Sequence, residues 1–115
     1  MSSRRSKKRS EPRERRADRK TLQLCRQVQR TLSYVLGECD DSVVQACFVE
    51  AVEPAPDASR LLVTVSSMDK DKTPITVIEH LSRSAGFLRS EIAASISRRK
   101  VPELAFRCIA PEPPA

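Results

Sequence analysis

The first twenty residues, MSSRRSKKRSEPRERRADRK, contain almost nothing that a fold can bury. Their apolar members are Met1, Pro12 and Ala17, so no face of this segment can join a core. They hold ten Lys/Arg against three Asp/Glu, whereas residues 21–115 hold eleven against twelve. The formal net charge of +6 is therefore a property of the segment and not of the rest of the chain. Such composition predicts a disordered basic arm over residues 1–18. Folding is left to roughly residues 19–110, enough for one small domain, with a disordered Pro-rich end at 111–115.

Four readings of the arm compete. An organelle-targeting peptide needs an amphipathic apolar stripe, which is missing. A nuclear localisation patch and a merely solvated tail are both compatible with its composition. A flexible polycation that gains affinity for phosphates by counterion release fits its charge best.

The same composition excludes several chemistries. Two glycines cannot build a Walker loop or a three-glycine dinucleotide fingerprint. A single histidine, His80, rules out multi-His metal sites, and it reads better as a surface or half-buried residue than as a catalyst. Cys25, Cys39, Cys47 and Cys108 form no CxxC pair, so zinc and thioredoxin-like chemistry lack support, and reduced buried thiols are expected. Asp40-Asp41 and Asp69/Asp71 resemble carboxylate pairs for a metal but read better as solvated loop residues. Nothing forms a nucleophile–base–orienter set. No catalytic residue, metal, cofactor or small-molecule substrate is expected. No run of 18 apolar residues exists, so a transmembrane helix is not expected, and the anticipated protein is cytoplasmic and monomeric. Aromatic residues make up 3% of the chain, which argues against recognition by stacking bases on rings.

Helical spacing of Leu22, Cys25, Val28, Leu32 and Val35/Leu36 predicts a first helix over about 19–36, ended by Gly37. Residues 43–53 are rich in Val, Phe and Ala and predict a strand, with Cys47, Val49 and Ala51 on one face and a bulge where Val52 breaks the alternation. A turn over Pro54–Ser59 leads to a second strand at 60–66, with Leu61, Val63 and Val65 inward, and the short link makes an antiparallel hairpin. Thr73-Pro74 is a helix start, with Thr as cap and Pro at the first position. Ile75, Ile78 and Leu81 follow. The pattern breaks at Ser84-Ala85-Gly86 and resumes with Leu88, Ile92 and Ile96. Arg98-Arg99-Lys100 closes that helix, where cations suit the dipole. Val101-Pro102 stops it, and residues 103–109 predict a third strand. The expected fold is α+β, a two-layer sandwich of order α-β-β-α-kink-α-β on a three-stranded sheet.

This order is the layout of type II KH domains. The stretch Ser84-Ala85-Gly86-Phe87-Leu88-Arg89-Ser90, continuing through Arg98-Arg99-Lys100 to Val101-Pro102-Glu103-Leu104-Ala105-Phe106, resembles the ribosome-binding factor A family. Segments Val52-Glu53 and Leu62-Val63-Thr64-Val65 are similar to that family's hairpin. The resemblance implies a non-catalytic assembly factor that binds the immature 30S subunit, contacts 16S rRNA and aids 5′-end processing, notably in the cold. It also implies an Ala-x-Gly kink in place of a GxxG loop. Ser84 departs from that pattern at its first position, and its hydroxyl is able to bond backbone or cap the next helix. The basic C-terminal tail of some members is absent here, and the basic segment lies at the other end.

The candidate RNA contacts are the kink residues Ser84, Ala85 and Gly86, the flanking Arg83 and Arg89, the cluster Arg98, Arg99 and Lys100, and a strip formed by Arg26 and Arg30. Gly86 is read in two compatible ways, as a break where a Cβ would clash or the backbone turns and as a place where RNA backbone can approach closely, so that Gly86→Val would harm fold and binding together. The alternative to a ribosome factor is a generic KH-like nucleic-acid-binding module whose polycationic arm has no ribosome specificity.

Overall fold

The computed structural model describes residues 2–96 and 100–109, with side chains described from residue 19 onward. Helix α1 spans Ser2–Val35 and runs into a 3-10 turn at Leu36–Glu38. A one-turn helix α2 (Ser42–Gln45) precedes the hairpin of β1 (Cys47–Pro54) and β2 (Arg60–Ser67). Helices α3 (Pro74–Arg83) and α4 (Ala85–Ser95) then lead to β3 (Glu103–Cys108). The sheet has the order β1-β2-β3, with β1 antiparallel and β3 parallel to β2. A parallel neighbour needs a long crossover, and α3–α4 supplies it.

The backbone of α1 is helical from Ser2, where the sequence led us to expect an unstructured arm. Arg, Lys, Glu and Ala are strong helix formers and the segment has no glycine, which favours outward propagation of the domain's helix, whereas Pro12 removes one helical N–H and opposes it. From Leu24 onward α1 is held by packing. Leu24, Cys25, Val28, Leu32 and Val35 are buried, whereas Leu22 is 51% exposed. Leu22 sits six residues before Val28, about one and two-thirds turns away, and so points off the stripe. Leu24 takes the place expected for Leu22. Gly37 needs no left-handed geometry, because φ is not positive at any described residue. It lies inside the 3-10 turn, which ends at the extended Cys39.

The first strand starts later than its composition suggests. Asp41 Oδ1 accepts the Val43 N–H at 2.9 Å, and Gln45 N–H donates to the Asp41 carbonyl at 2.9 Å. This cap turns 42–45 into helix despite the β-branched Val43 and Val44, both of which are buried in the core. The bulge falls between Val49 and Ala51 rather than at Val52. It shifts the register so that Val52, not Ala51, follows Cys47 and Val49 into the core. In β2, Leu61, Val63 and Val65 are fully buried as the alternation requires.

Helices cover one face of the sheet, and the other is open. On that open face Phe48 is exposed, while Thr64 is buried because the Arg107 guanidinium lies over it, Nη2 donating to Thr64 Oγ1 at 3.0 Å. Arg107 also reaches Glu53 at 3.7 Å, an exposed pair worth little.

Helix α3 starts as expected, with Thr73 Oγ1 accepting the Thr76 N–H and Pro74 in the first turn. Its buried side chains are Val77 and Leu81. Ile78 is half-buried and Ile75 is exposed, so the inward stripe is displaced from the Ile75/Ile78/Leu81 line. Helix α4 buries Leu88 and Ile92 and is followed by buried Ile96. It ends at Ser95, and the cap residue Ile96 is already extended. Lys100 therefore does not complement that helix terminus, and Arg98 and Arg99 lie outside the described residues. Among the described residues the cysteines are unpaired. Burial pushes the Cys47 thiol up to about 11, which keeps it protonated and unreactive.

Candidate nucleic-acid interface

The break between α3 and α4 is made by one residue that is not glycine. Ser84 sits at φ −89° and ψ 0°, in the bridge region that a turn uses. Its N–H donates to the carbonyls of His80 and Leu81 at 3.2 and 3.1 Å, and its own carbonyl accepts the Leu88 N–H at 2.9 Å. One helix is closed and the next opened across a single position. The Ser84 hydroxyl makes no cap hydrogen bond, so the start of α4 lacks a side-chain cap.

Gly86 lies one turn-position into α4, exposed, with an ordinary backbone. A Cβ built there meets nothing within 4 Å. This corrects the expectation that Gly86 relieves a clash or an unusual backbone angle, and with it the expected folding defect of Gly86→Val. The bare Cα faces open space, so the residue leaves the surface low beside the kink.

The surroundings of the kink carry a feature that sequence reading missed. A cleft of about 400 Å³ is lined by Glu38, Cys39, Asp40, Asp41, Arg83, Ser84 and Phe87. The end of α1 and the turn after it bring three carboxylates to the flank of the kink, against one arginine. Asp41 is committed to structure. His80 Nδ1–H donates to its Oδ2 at 2.7 Å, tying α3 to the cap of α2. That bond, ahead of partial burial, which opposes it, and the Val43 N–H, which helps it, holds the Asp41 carboxyl below its ordinary value of 3.8. A carboxyl with a depressed folded-state pKa contributes stability above its ordinary value and loses it as pH falls through the folded value. The stability lost in Asp41→Asn is therefore expected to be fullest at neutral pH and to fade below about pH 3.8, measured by urea unfolding across pH. His80 is half-buried, as expected, and serves as a strut.

Arg89 differs in role from Arg83. Its Nε donates to the Pro102 carbonyl at 3.3 Å and its Nη2 to the Val101 carbonyl at 3.1 Å. It pins α4 to the segment leading into β3. With Lys100 it lines a second cleft of about 410 Å³ beside Ala58, Ser59, Val101, Pro102 and Glu103. Arg89→Gln is expected to cost about 1–2 kcal/mol in urea unfolding, since charged hydrogen bonds to backbone are lost from a mostly exposed site. Arg83 is exposed beside the kink and has no ion pair among the described residues. Arg26 and Arg30 stand on the exposed face of α1, on a different element from the kink. The structure thus groups Arg83, Ser84, Ala85 and Gly86 at one place, Arg89 and Lys100 at a second, and Arg26 and Arg30 at a third.

A family model described as ribosome-binding factor A matches residues 20–108, which span the α3–α4 joint and the whole three-stranded sheet. The chain belongs to the ribosome-binding factor A family. The ribosome-binding factor A of Solibacter usitatus is 32% identical over 90 residues, covering 77% of this chain and 73% of the relative. That of Azotobacter vinelandii is 34% identical over 91 residues, covering 76% and 70%. The crystal structure of ribosome-binding factor A from Thermus thermophilus superposes with a TM-score of 0.69 at 26% identity, covering 76% of this chain and 93% of that one. A homology model of the Thermus factor fitted into a cryo-EM map of a 30S complex is also similar, with TM-score 0.57 and 28% identity, covering 70% and 85%. Among the described residues no helix is long and apolar enough to cross a membrane, and no cluster of His, Cys, Asp and Glu is arranged to hold a metal.

Proposed function

We propose that this protein binds the small ribosomal subunit and its 16S rRNA during late maturation and 5′-end processing, as a non-catalytic factor. The observation that carries the reading is the kink. Arg83 is exposed, α4 starts without a side-chain cap, and Gly86 leaves room for a backbone to come close. A helix start and a cation favour an anion, and a phosphate backbone is the anion that an RNA particle presents. The carboxylates Glu38 and Asp40 on the other side of the cleft repel the same partner. RNA therefore approaches from the Gly86 side. The relative of Thermus thermophilus in complex with 30S supports the choice of particle.

Sedimentation through sucrose at low salt tests it. The protein is expected to travel with free small subunits. Migration only at the top of the gradient would overturn the reading. Substitution of Gly86 separates fold from function. Gly86→Leu is expected to keep stability within about 1 kcal/mol or improve it, because a helical glycine is replaced with free space around it. It is expected to weaken association with the subunit about tenfold, roughly 1.4 kcal/mol. Unchanged association would remove Gly86 from the interface.

A further inference from the structure

We propose that the solvent face of α1 is a second RNA-binding surface, a cationic ridge that lies along the phosphate backbone of double-stranded rRNA, with Arg19, Arg26 and Arg30 as its contacts. It rests on the ribosome-binding reading but does not use the kink. Residues 19–35 contain Arg19, Lys20, Arg26 and Arg30 and no Asp or Glu. One side of this stretch is spent on the core, where Leu24, Cys25, Val28, Leu32 and Val35 are buried. At about 100° per residue those side chains centre on one direction, and positions 19, 26 and 30 centre on the opposite one, each within about 20° of their mean. Arg19, Arg26 and Arg30 are all exposed, and none has an ion pair among the described residues.

Charge complementarity selects the partner. From residue 19 to residue 30 the helix advances about 17 Å, and a duplex strand carries one phosphate per about 3.4 Å of its axis, so the ridge spans several phosphates. The other exposed positions near the ridge, Gln23, Ser33 and Tyr34, are residue types that hydrogen-bond phosphate and sugar. Leu22 and Tyr34, at the ridge's two borders, are separated by the charged line and form no continuous apolar face for insertion into a lipid interface. The folded part beyond residue 20 has slightly more acidic than basic residues, so this ridge is a local field on a domain of almost no net charge.

The test is a salt titration of the full chain against an RNA hairpin with a long stem, followed by fluorescence anisotropy, with the double variant Arg26→Gln/Arg30→Gln beside the wild type. The logarithmic salt slope is expected to fall by roughly two units, about one for each phosphate contact removed, with circular dichroism and thermal midpoint unchanged. An unchanged slope in a folded variant overturns the ridge, as does equal competition by polyglutamate, which would assign the face to an acidic protein. Small-subunit sedimentation, run in parallel, keeps the two readings apart. Wild type that joins the subunit with a variant of unchanged slope overturns the ridge alone. Wild type that fails to join the subunit while the variant's slope drops supports the ridge and overturns the ribosome reading.

Discussion

Leu88→Ala is expected to remove about 2–5 kcal/mol of folding stability. Leu88 is fully buried in α4, where the second layer of the sandwich closes on the sheet, and the surrounding Leu32, Leu81 and Ile92 are equally buried. A domain of this size has roughly 5–13 kcal/mol in total, so the variant would sit close to the unfolding threshold. The urea midpoint should fall by about 1–3 M with the slope little changed. Ile75→Ala is the comparison, because Ile75 is 71% exposed and its loss should stay within about 0.5 kcal/mol. Equal effects at the two positions would mean that the packing of α3 and α4 is not as described.

Deletion of residues 2–18 is expected to have the largest effect on binding and almost none on the core. The deletion removes eight Lys/Arg and three Asp/Glu. Every buried hydrophobic residue of the described core lies at Leu24 or beyond, so the thermal midpoint of the domain should hold, while the helical circular dichroism signal falls. If half of the basic residues meet phosphates, the logarithmic salt slope on duplex shrinks by about 3.6 units, at about 0.9 per contact. Affinity at low salt would fall by orders of magnitude, and that loss would be indifferent to sequence. A truncated protein with the full slope would place the affinity elsewhere, in the kink and in Arg26 and Arg30.

The two predictions act on the two halves of the chain that composition already separates, and they show where sequence reading succeeds. The β2 strand was legible because Leu61, Val63 and Val65 alternate against polar neighbours, and burial follows that period. The α3–α4 break was legible because apolar spacing stops at Ser84 and restarts at Leu88. The α+β order and the hairpin followed from the same periods. Residues 42–45 were misread, because a local cap from Asp41 overrides the β propensity of two valines and only the hydrogen bond reveals it. The parallel pairing of β2 with β3 is a long-range contact that no local pattern encodes.

The site was less legible than the fold. Of the two readings of Gly86, the steric one fails, since the joint is made by Ser84 and a Cβ at position 86 meets nothing within 4 Å. Arg89 looked like its neighbour Arg83 in sequence, yet two backbone carbonyls hold it in a structural role. The carboxylates Glu38 and Asp40 lie more than forty residues from the kink in sequence; Asp40 was read as solvated, and Glu38 carried no signal of its own. Folding places them on its flank, where they limit the directions from which an anion can come.

Photo-crosslinking from position 86 in the precursor small subunit tests the central claim most directly. A crosslinkable residue at position 86 is expected to capture 16S rRNA, and one at position 48, on the open face of the sheet, is expected to capture it far less. Capture from position 48 with none from position 86 would contradict the kink as the ribosome-facing surface.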